Sequence, residues 1–223
     1  MKKNPNSPER WDQLLTADEY LEDEGPMTLD RIKTAKRWRF NRGRSRLILN
    51  VGSGQGFLEN QFFYLIRQKN VVFYSLDISL KGLERIKKLF NTNTVLGSIV
   101  GMPIKSGMFD TIYCMEVLEH IKQKDAVQAY KELNRVAKSG GELIISVPVY
   151  EARSLKDHPV GHVKKYTPSK IEKEINTNGF YITHKKELFA FPNLYLVKTL
   201  IAKKILKRRW KPNVVIYRCT VKK

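Results

Sequence analysis

Three glycines at alternate positions, Gly52, Gly54 and Gly56, follow the apolar run that opens "LILNVGSGQGF". A buried strand that runs straight into such a loop lets backbone amides come close to a ligand. One glycine suffices for a plain strand-to-helix turn, so three favour a binding loop. The spacing is G-x-G-x-G, with Phe57 where a dinucleotide fingerprint needs its third glycine, and the P-loop lysine and Ser/Thr are missing. The loop therefore suits a neutral nucleoside with a compact polar tail better than a pyrophosphate or triphosphate. Asp77, at the end of "VVFYSLD" and 21 residues beyond Gly56, can accept both hydroxyls of a ribose and repels a 2′-phosphate. An N-cap for the helix that follows is the alternative role for the same carboxylate.

These groups need a scaffold, and the periodicity supplies one. "RLILNV", "VVFYSLD", "NTVLGS", "FDTIYCME" and "ELIISVPV" read as buried strands, followed by "FYITHKKEL" and "VVIYRCTV". Helical patterns stand between them. "SLKGLERIKKLF" places Leu80, Leu83, Ile86 and Phe90 on one side. "KDAVQAYKELNRVAK" carries Val127, Tyr130, Leu133 and Val136 and is expected to end at the "SGG" glycines, Gly140 or Gly141. "TPSKIEKEINTNG" has Thr167 at the N-cap, Pro168 at the first helical position and Gly179 beyond the end. In the N-terminal arm, "TLDRIKTAKRW" is helical with Thr28 as the expected N-cap. Strand–helix alternation implies a mostly parallel sheet with helices on both faces, whose ligand sits at the carboxyl ends of the strands.

"LNVGSGQG", the strand-end Asp77, "GSIVGMPIKSGMFD" and "EVLEHI" occur in this order. Together they resemble the class I S-adenosylmethionine-dependent methyltransferases, of the branch that methylates quinones and small molecules; residues 46–187 carry the likeness. The resemblance implies an α/β, Rossmann-like, doubly wound sheet of seven strands, mostly parallel with the last strand antiparallel. It implies one domain over 1–223: an arm over 1–45, a cofactor-binding core over 46–187, a basic insert over 188–213 and a final strand over 214–223. It implies S-adenosylmethionine as cofactor, held by Asn50, Gly52, Ser53, Gly54, Gly56, Asp77, Ile78, Ser98, Ile99, Met115 and Glu116. Ser98 and Ile99 would flank the adenine, and Met115 and Glu116 would stand beside the sulfonium and the acceptor. Many relatives have an acid where Asn50 and Ser98 stand, which weakens the expected polar contacts. No metal is expected. If the acceptor is a hydroxyl or amine, a base is needed. His120, His158 and His162 are the candidates, with His120 and His158 preferred; His120 has loop orientation as its other role, and His162 is expected to pack the "DHPVGHVKKYTP" loop.

The remaining features bound the reading. Cys114 and Cys219 lie far apart, outside any C-x-x-C pair, and are expected to be free and buried. The start "MKKNPNSPERWDQ" lacks the apolar core of a signal peptide, so a cytoplasmic location is the default expectation. The net charge is +19, and from Phe189 onward there are ten Lys or Arg and no Asp or Glu. Such a field attracts anionic partners. "FPNLYLVKTLIAKKILKRRWKPN" aligns Val197, Ile201 and Ile205, but Lys198 and Arg208 fall in or near that sector and Leu200 and Leu206 outside it. The preferred reading is a helix over the substrate cleft with a solvated basic rim; peripheral contact with an anionic membrane is the alternative. Nucleic acid is disfavoured for want of a stacking module or RNA-binding motif. The function expected is methyl transfer to a small-molecule or lipid-like acceptor. A catalytically silent relative that binds the cofactor, and an RNA methyltransferase, are the alternatives.

Overall fold

Successive side chains on a strand point to opposite faces of its sheet, so a strand covered on both sides must be apolar throughout. The computed structural model shows this pattern at the centre of the molecule. It describes residues 4–16, 25–39, 47–156, 158–191, 193–204 and 210–222. Seven strands form one sheet: β1 (Leu47–Val51), β2 (Val72–Asp77), β3 (Asn93–Leu96), β4 (Phe109–Met115), β5 (Ala137–Pro148), β6 (Phe180–Leu188) and β7 (Val214–Val221). Their order is β3-β2-β1-β4-β5-β7-β6. The first five are parallel, and β7 runs antiparallel to both β5 and β6.

The alternation along β1, β4 and β5 divides the core in two. Leu49, Ile112, Cys114, Leu143 and Ile145 face α5 (Ala126–Val136) and α6 (Pro168–Thr177). Ile48, Tyr113 and Ile144 face α2 (Pro26–Arg39) and α3 (Phe57–Arg67). Both cysteines are free and buried, and burial pushes their thiol pKa values up. α4 (Leu80–Phe90) lies against β2 and β3, and α1 (Pro8–Thr16) packs on α4.

Local signals set most boundaries. Ser79 caps α4 by accepting the Gly82 amide, and Thr167 caps α6 by accepting the Lys170 amide, with Pro168 first in the helix. Two boundaries differ from the sequence expectation. α2 starts at Pro26, whose fixed φ suits a first helical position, so Thr28 lies inside the helix instead of capping it. α5 ends at Val136 and β5 begins at Ala137, so Gly140 and Gly141 sit within a strand. Gly140 has φ +70°, and the β4–β5 register shifts between Phe109 and Thr111, which marks a bulge there. Leu80 and Val127, expected on buried faces, are about half exposed because each belongs to the first turn of its helix.

The insert forms α7 (Tyr195–Lys204). Tyr195 and Ala202 are buried, and the Tyr195 hydroxyl donates to Asp30 of α2 at 3.0 Å. The opposite side of the helix presents Leu196, Val197 and Leu200, all more than half exposed. Ile205, Leu206 and Arg208 lie outside the described residues.

Candidate active site

β1 pairs with β2 on one side and β4 on the other, so chain order reverses at β1. Loops leaving neighbouring strands diverge at such a point and leave a crevice at the carboxyl ends. A cavity of about 640 Å³ opens there. Its lining includes Asn50, Gly52, Ser53, Gly54, Asp77, Ile78, Ser98, Ile99, Met115, Glu116 and His120, all expected from the sequence.

The glycine loop is pinned to β2 by its own backbone. The amides of Gly52 and Ser53 both donate to the Leu76 carbonyl, at 2.8 and 3.1 Å. The Gly54 amide donates to Asp77 Oδ2 at 2.9 Å, and the Ser79 amide donates to Asp77 Oδ1 at 2.9 Å. Asp77 is therefore held by amides from two loops, and the capping of α4 falls to Ser79. Burial raises the Asp77 pKa, and the backbone amides oppose the shift. All three glycines have positive φ, but for different reasons. A Cβ on Gly52 would meet Val117 Cγ2 at 2.5 Å, and one on Gly56 would meet Phe90 Cε2 at 2.8 Å. A Cβ on Gly54 would meet only a carbonyl at 3.9 Å. Gly56, expected to bind the cofactor, does not line the cavity; it lets α3 begin against α4.

Asn50 is turned toward protein as well as cavity. Its amide nitrogen donates to Glu59 Oε1 at 2.9 Å, and the Ser75 hydroxyl donates to the same oxygen at 2.7 Å. Glu59 is fully buried, and desolvation lifts its pKa to about 6 against those hydrogen bonds. The Ser53 hydroxyl is buried beside the glycine loop without a partner among the described residues. A polar orphan, an open Cβ direction at Gly54 and a fixed carboxylate fit a nucleoside with a polar tail.

The other end of the cavity carries the histidines. Glu116 follows β4 with φ +57°, a strained backbone for a residue with a side chain, and its carboxylate pairs with Arg31 of α2. A single helical turn, Leu118–His120, comes next. His120 Nδ1 lies 3.2 Å from Asn6 Oδ1, and the Asn6 amide nitrogen donates to the carbonyls of His120 and Gly161. Trp11 of α1 stands edge-on to the His120 ring. Burial, then repulsion from His162 and His158, depresses the His120 pKa to about 3. His162 lines the cavity, whereas His158 does not. The expected roles in this loop are thus exchanged in space. His158 lies behind His162, stacked on it at 4.1 Å, and both rings face Glu151 Oε1, at 2.9 and 2.7 Å. Burial, with His162 second, lowers the His158 pKa.

Arg31, Asn6, Trp11 and Glu119 also line the cavity. The sequence offered little to reveal them: the first three lie in the N-terminal arm, outside every motif, and Glu119 is masked by the helical look of "EVLEHI". No described residue of 188–213 lines the cavity, so α7 does not roof the cleft as expected.

Residues 49–145 match the family model described as a methyltransferase domain. An uncharacterized protein of Methanocaldococcus jannaschii is 26% identical over 196 residues, which cover 88% of this chain and 78% of that protein. Among solved structures, the N-methyltransferase NodS from Bradyrhizobium japonicum, in complex with S-adenosyl-L-homocysteine, superposes with a TM-score of 0.68 at 14% identity, covering 99% of this chain and 100% of that one. The 1,6-didemethyltoxoflavin-N1-methyltransferase of Burkholderia thailandensis gives 0.66 at 9% identity, covering 97% and 91%. The match to a methyltransferase domain covers residues 49–145, and around it the sheet order, the glycine loop and the strand-end carboxylate are similar to those of the class I S-adenosylmethionine-dependent methyltransferases.

Proposed function

We propose that this protein transfers the methyl group of S-adenosylmethionine to a small-molecule or lipid-like acceptor. One observation carries the reading: a single cavity joins the Gly54–Asp77 cradle at one end to the His120–His162 wall at the other. When bound, the cofactor supplies a sulfonium methyl open to in-line attack. Asp77 accepts the ribose hydroxyls, and the Ser53 hydroxyl and the loop amides meet the amino-acid tail. Ser98 and Ile99 flank the adenine. The chain's own contribution is alignment and exclusion of water, and alignment alone can supply a large part of the barrier reduction. Residues of the N-terminal arm complete the enclosure, with Trp11 and Leu15 on its wall.

His120 and His158, assigned from the sequence as bases, differ in this setting. His158 positions His162 and does not touch the cavity. His120 reaches it, but a pKa near 3 makes it a weak proton acceptor at neutral pH.

The acceptor's delivery involves α7. Its outward face joins Leu196, Val197 and Leu200 to exposed Lys204, and Leu194 and Trp210 are exposed nearby in sequence. A helix apolar on both its packed and its outward face needs a second apolar neighbour. The excess of cations in this segment selects an anionic membrane surface as that neighbour.

Calorimetry with S-adenosylhomocysteine tests the cofactor site. Wild-type protein should bind one equivalent, and Asp77→Ala should weaken binding at least tenfold; unchanged affinity removes Asp77 from the site. A labelled-methyl screen on extracts then identifies the acceptor.

A further inference from the structure

The histidine end of the cavity contains a donor set that the methyl-transfer reading leaves unused. Glu119 is fully buried, and neither of its carboxylate oxygens has a hydrogen-bond partner among the described residues. A buried carboxylate without partners is costly, and a cation or a proton must meet the cost. Two cationic side chains act on Glu119, and both are already engaged: Arg31 by Glu116, and the buried Lys164 by Glu174 at 3.4 Å. Glu119, His120 and His162 each offer one ligand atom, and these atoms lie within 4.8 Å of one another.

The hydrogen bonds around the two rings fix which nitrogen is free. Asn6 spends its amide protons on two carbonyls, so its Oδ1 can only accept, and His120 Nδ1 must carry the proton. His162 Nδ1 lies 2.7 Å from Glu151 Oε1 and donates to that carboxylate. In both rings Nε2 is then the bare nitrogen. An imidazole whose other nitrogen is held by a carboxylate or amide oxygen is the usual arrangement of a metal-binding histidine. Metal bonds of about 2.0–2.2 Å place tetrahedral donors roughly 3.3–3.6 Å apart, so a pair at the 4.8 Å limit would close by about 1.2–1.5 Å.

We propose that Glu119, His120 and His162 bind one divalent first-row transition-metal ion at the acceptor end of the cavity, and that the methyl acceptor is a hydroxyl oxygen. Two imidazoles and a carboxylate favour zinc, cobalt, iron or manganese over calcium or magnesium. The second half rests on the methyltransferase reading above. A cation at this wall lowers the pKa of a hydroxyl placed against it. The hydroxyl proton passes to water, the oxygen forms a bond to the methyl carbon, and the carbon–sulfur bond breaks with its electron pair kept by sulfur. The products are the methyl ether, S-adenosylhomocysteine and a proton. This assignment replaces the sequence expectation of a metal-free site with a histidine base.

A second cluster, Glu151, His158 and His162, also has ligand atoms within 4.8 Å of one another. Its carboxylate oxygen already faces both imidazoles, and His158 does not line the cavity. It orients His162 and is not the site.

The test uses the full chain after chelator treatment. Cobalt(II) is titrated and followed by its visible absorption, and S-adenosylhomocysteine binding is measured separately by calorimetry. The expected result is one cobalt per chain, displaced by zinc, with binding weakened at least tenfold in Glu119→Gln and in His162→Gln. Glu119→Gln should retain S-adenosylhomocysteine binding, which shows that it is folded. Absence of saturable 1:1 binding in the wild type, or equal binding in Glu119→Gln, overturns the site. Binding that survives Glu119→Gln but is lost in His158→Gln also overturns it, by moving the ion to the other cluster. If cobalt binds but S-adenosylhomocysteine does not, the methyltransferase reading fails and takes the oxygen acceptor with it, while the cation site stands.

Discussion

Gly52 and Gly54 share a loop and a left-handed backbone, yet replacing each should do different damage. Alanine at either position carries the left-handed strain of about 1–2 kcal/mol. At Gly52 the new methyl also lands 2.5 Å from Val117 Cγ2, a packed side chain on the turn that carries Glu119 and His120. At Gly54 nothing among the described residues stands closer than a carbonyl at 3.9 Å, and the residue lines the cavity. Gly54→Ala should therefore lose little more than the strain energy in thermal unfolding but weaken S-adenosylhomocysteine at least tenfold. Gly52→Ala should be the less stable of the two. The opposite ranking in calorimetry and melting would mean that the nucleoside does not pass over Gly54. Several positions at this scale were legible in the sequence. Asp77 lines the cavity, and a strand end fixes where its side chain goes. Gly56 lies off the cavity wall, since a packing glycine and a binding glycine look alike without neighbours, and the order of His158 and His162 depended on which ring faces inward.

Among the elements, α7 shows what helical periodicity leaves open. Its residues 195–204 lack one clean apolar stripe, and that argued against an interfacial helix. The structure gives the reason: one side packs through Tyr195 and Ala202, and the other is apolar and exposed. Two apolar sides smear the pattern that a single stripe would give. Leu196→Lys with Leu200→Lys should change stability by no more than about 0.5 kcal/mol, since both side chains are exposed. The same pair should reduce cosedimentation with anionic phospholipid vesicles several-fold, and wild-type binding should fall as salt rises. Equal recovery of both proteins in the supernatant would leave α7 without its membrane. α1 lies in the part of the arm that no motif marks. It is fixed by Asp12, which accepts from the Ser79 hydroxyl at 2.6 Å and the Lys81 amide at 3.1 Å. Those contacts join residues 67 and 69 positions apart, and local patterning cannot register them.

The stability of the whole molecule should record the buried acid beneath the glycine loop. Glu59 has its pKa raised from 4.5 to about 6, so folding favours its protonated form. Its contribution is fully present below about pH 4.5 and is lost as pH rises through 6. The loss amounts to ~2 kcal/mol by the usual conversion of pKa shift to free energy. Glu59→Gln keeps an acceptor for Asn50 and Ser75 without the charge. Its stability relative to wild type should improve by about 2 kcal/mol between pH 4 and pH 8 in denaturant titrations. A difference that stays flat with pH would show that Glu59 titrates as an ordinary carboxyl.

The sequence by itself determined the sheet, the glycine loop and the strand-end aspartate. Each depends on spacing along one strand or across one turn, where geometry is local and the apolar period is strong. Tertiary structure alone decided the far wall of the cavity. Asn6, Arg31, Glu119, His120 and His162 meet there from segments up to 156 residues apart. Whether a carboxylate is buried without a partner, and which imidazole nitrogen is left bare, depends on neighbours that only the folded chain brings together.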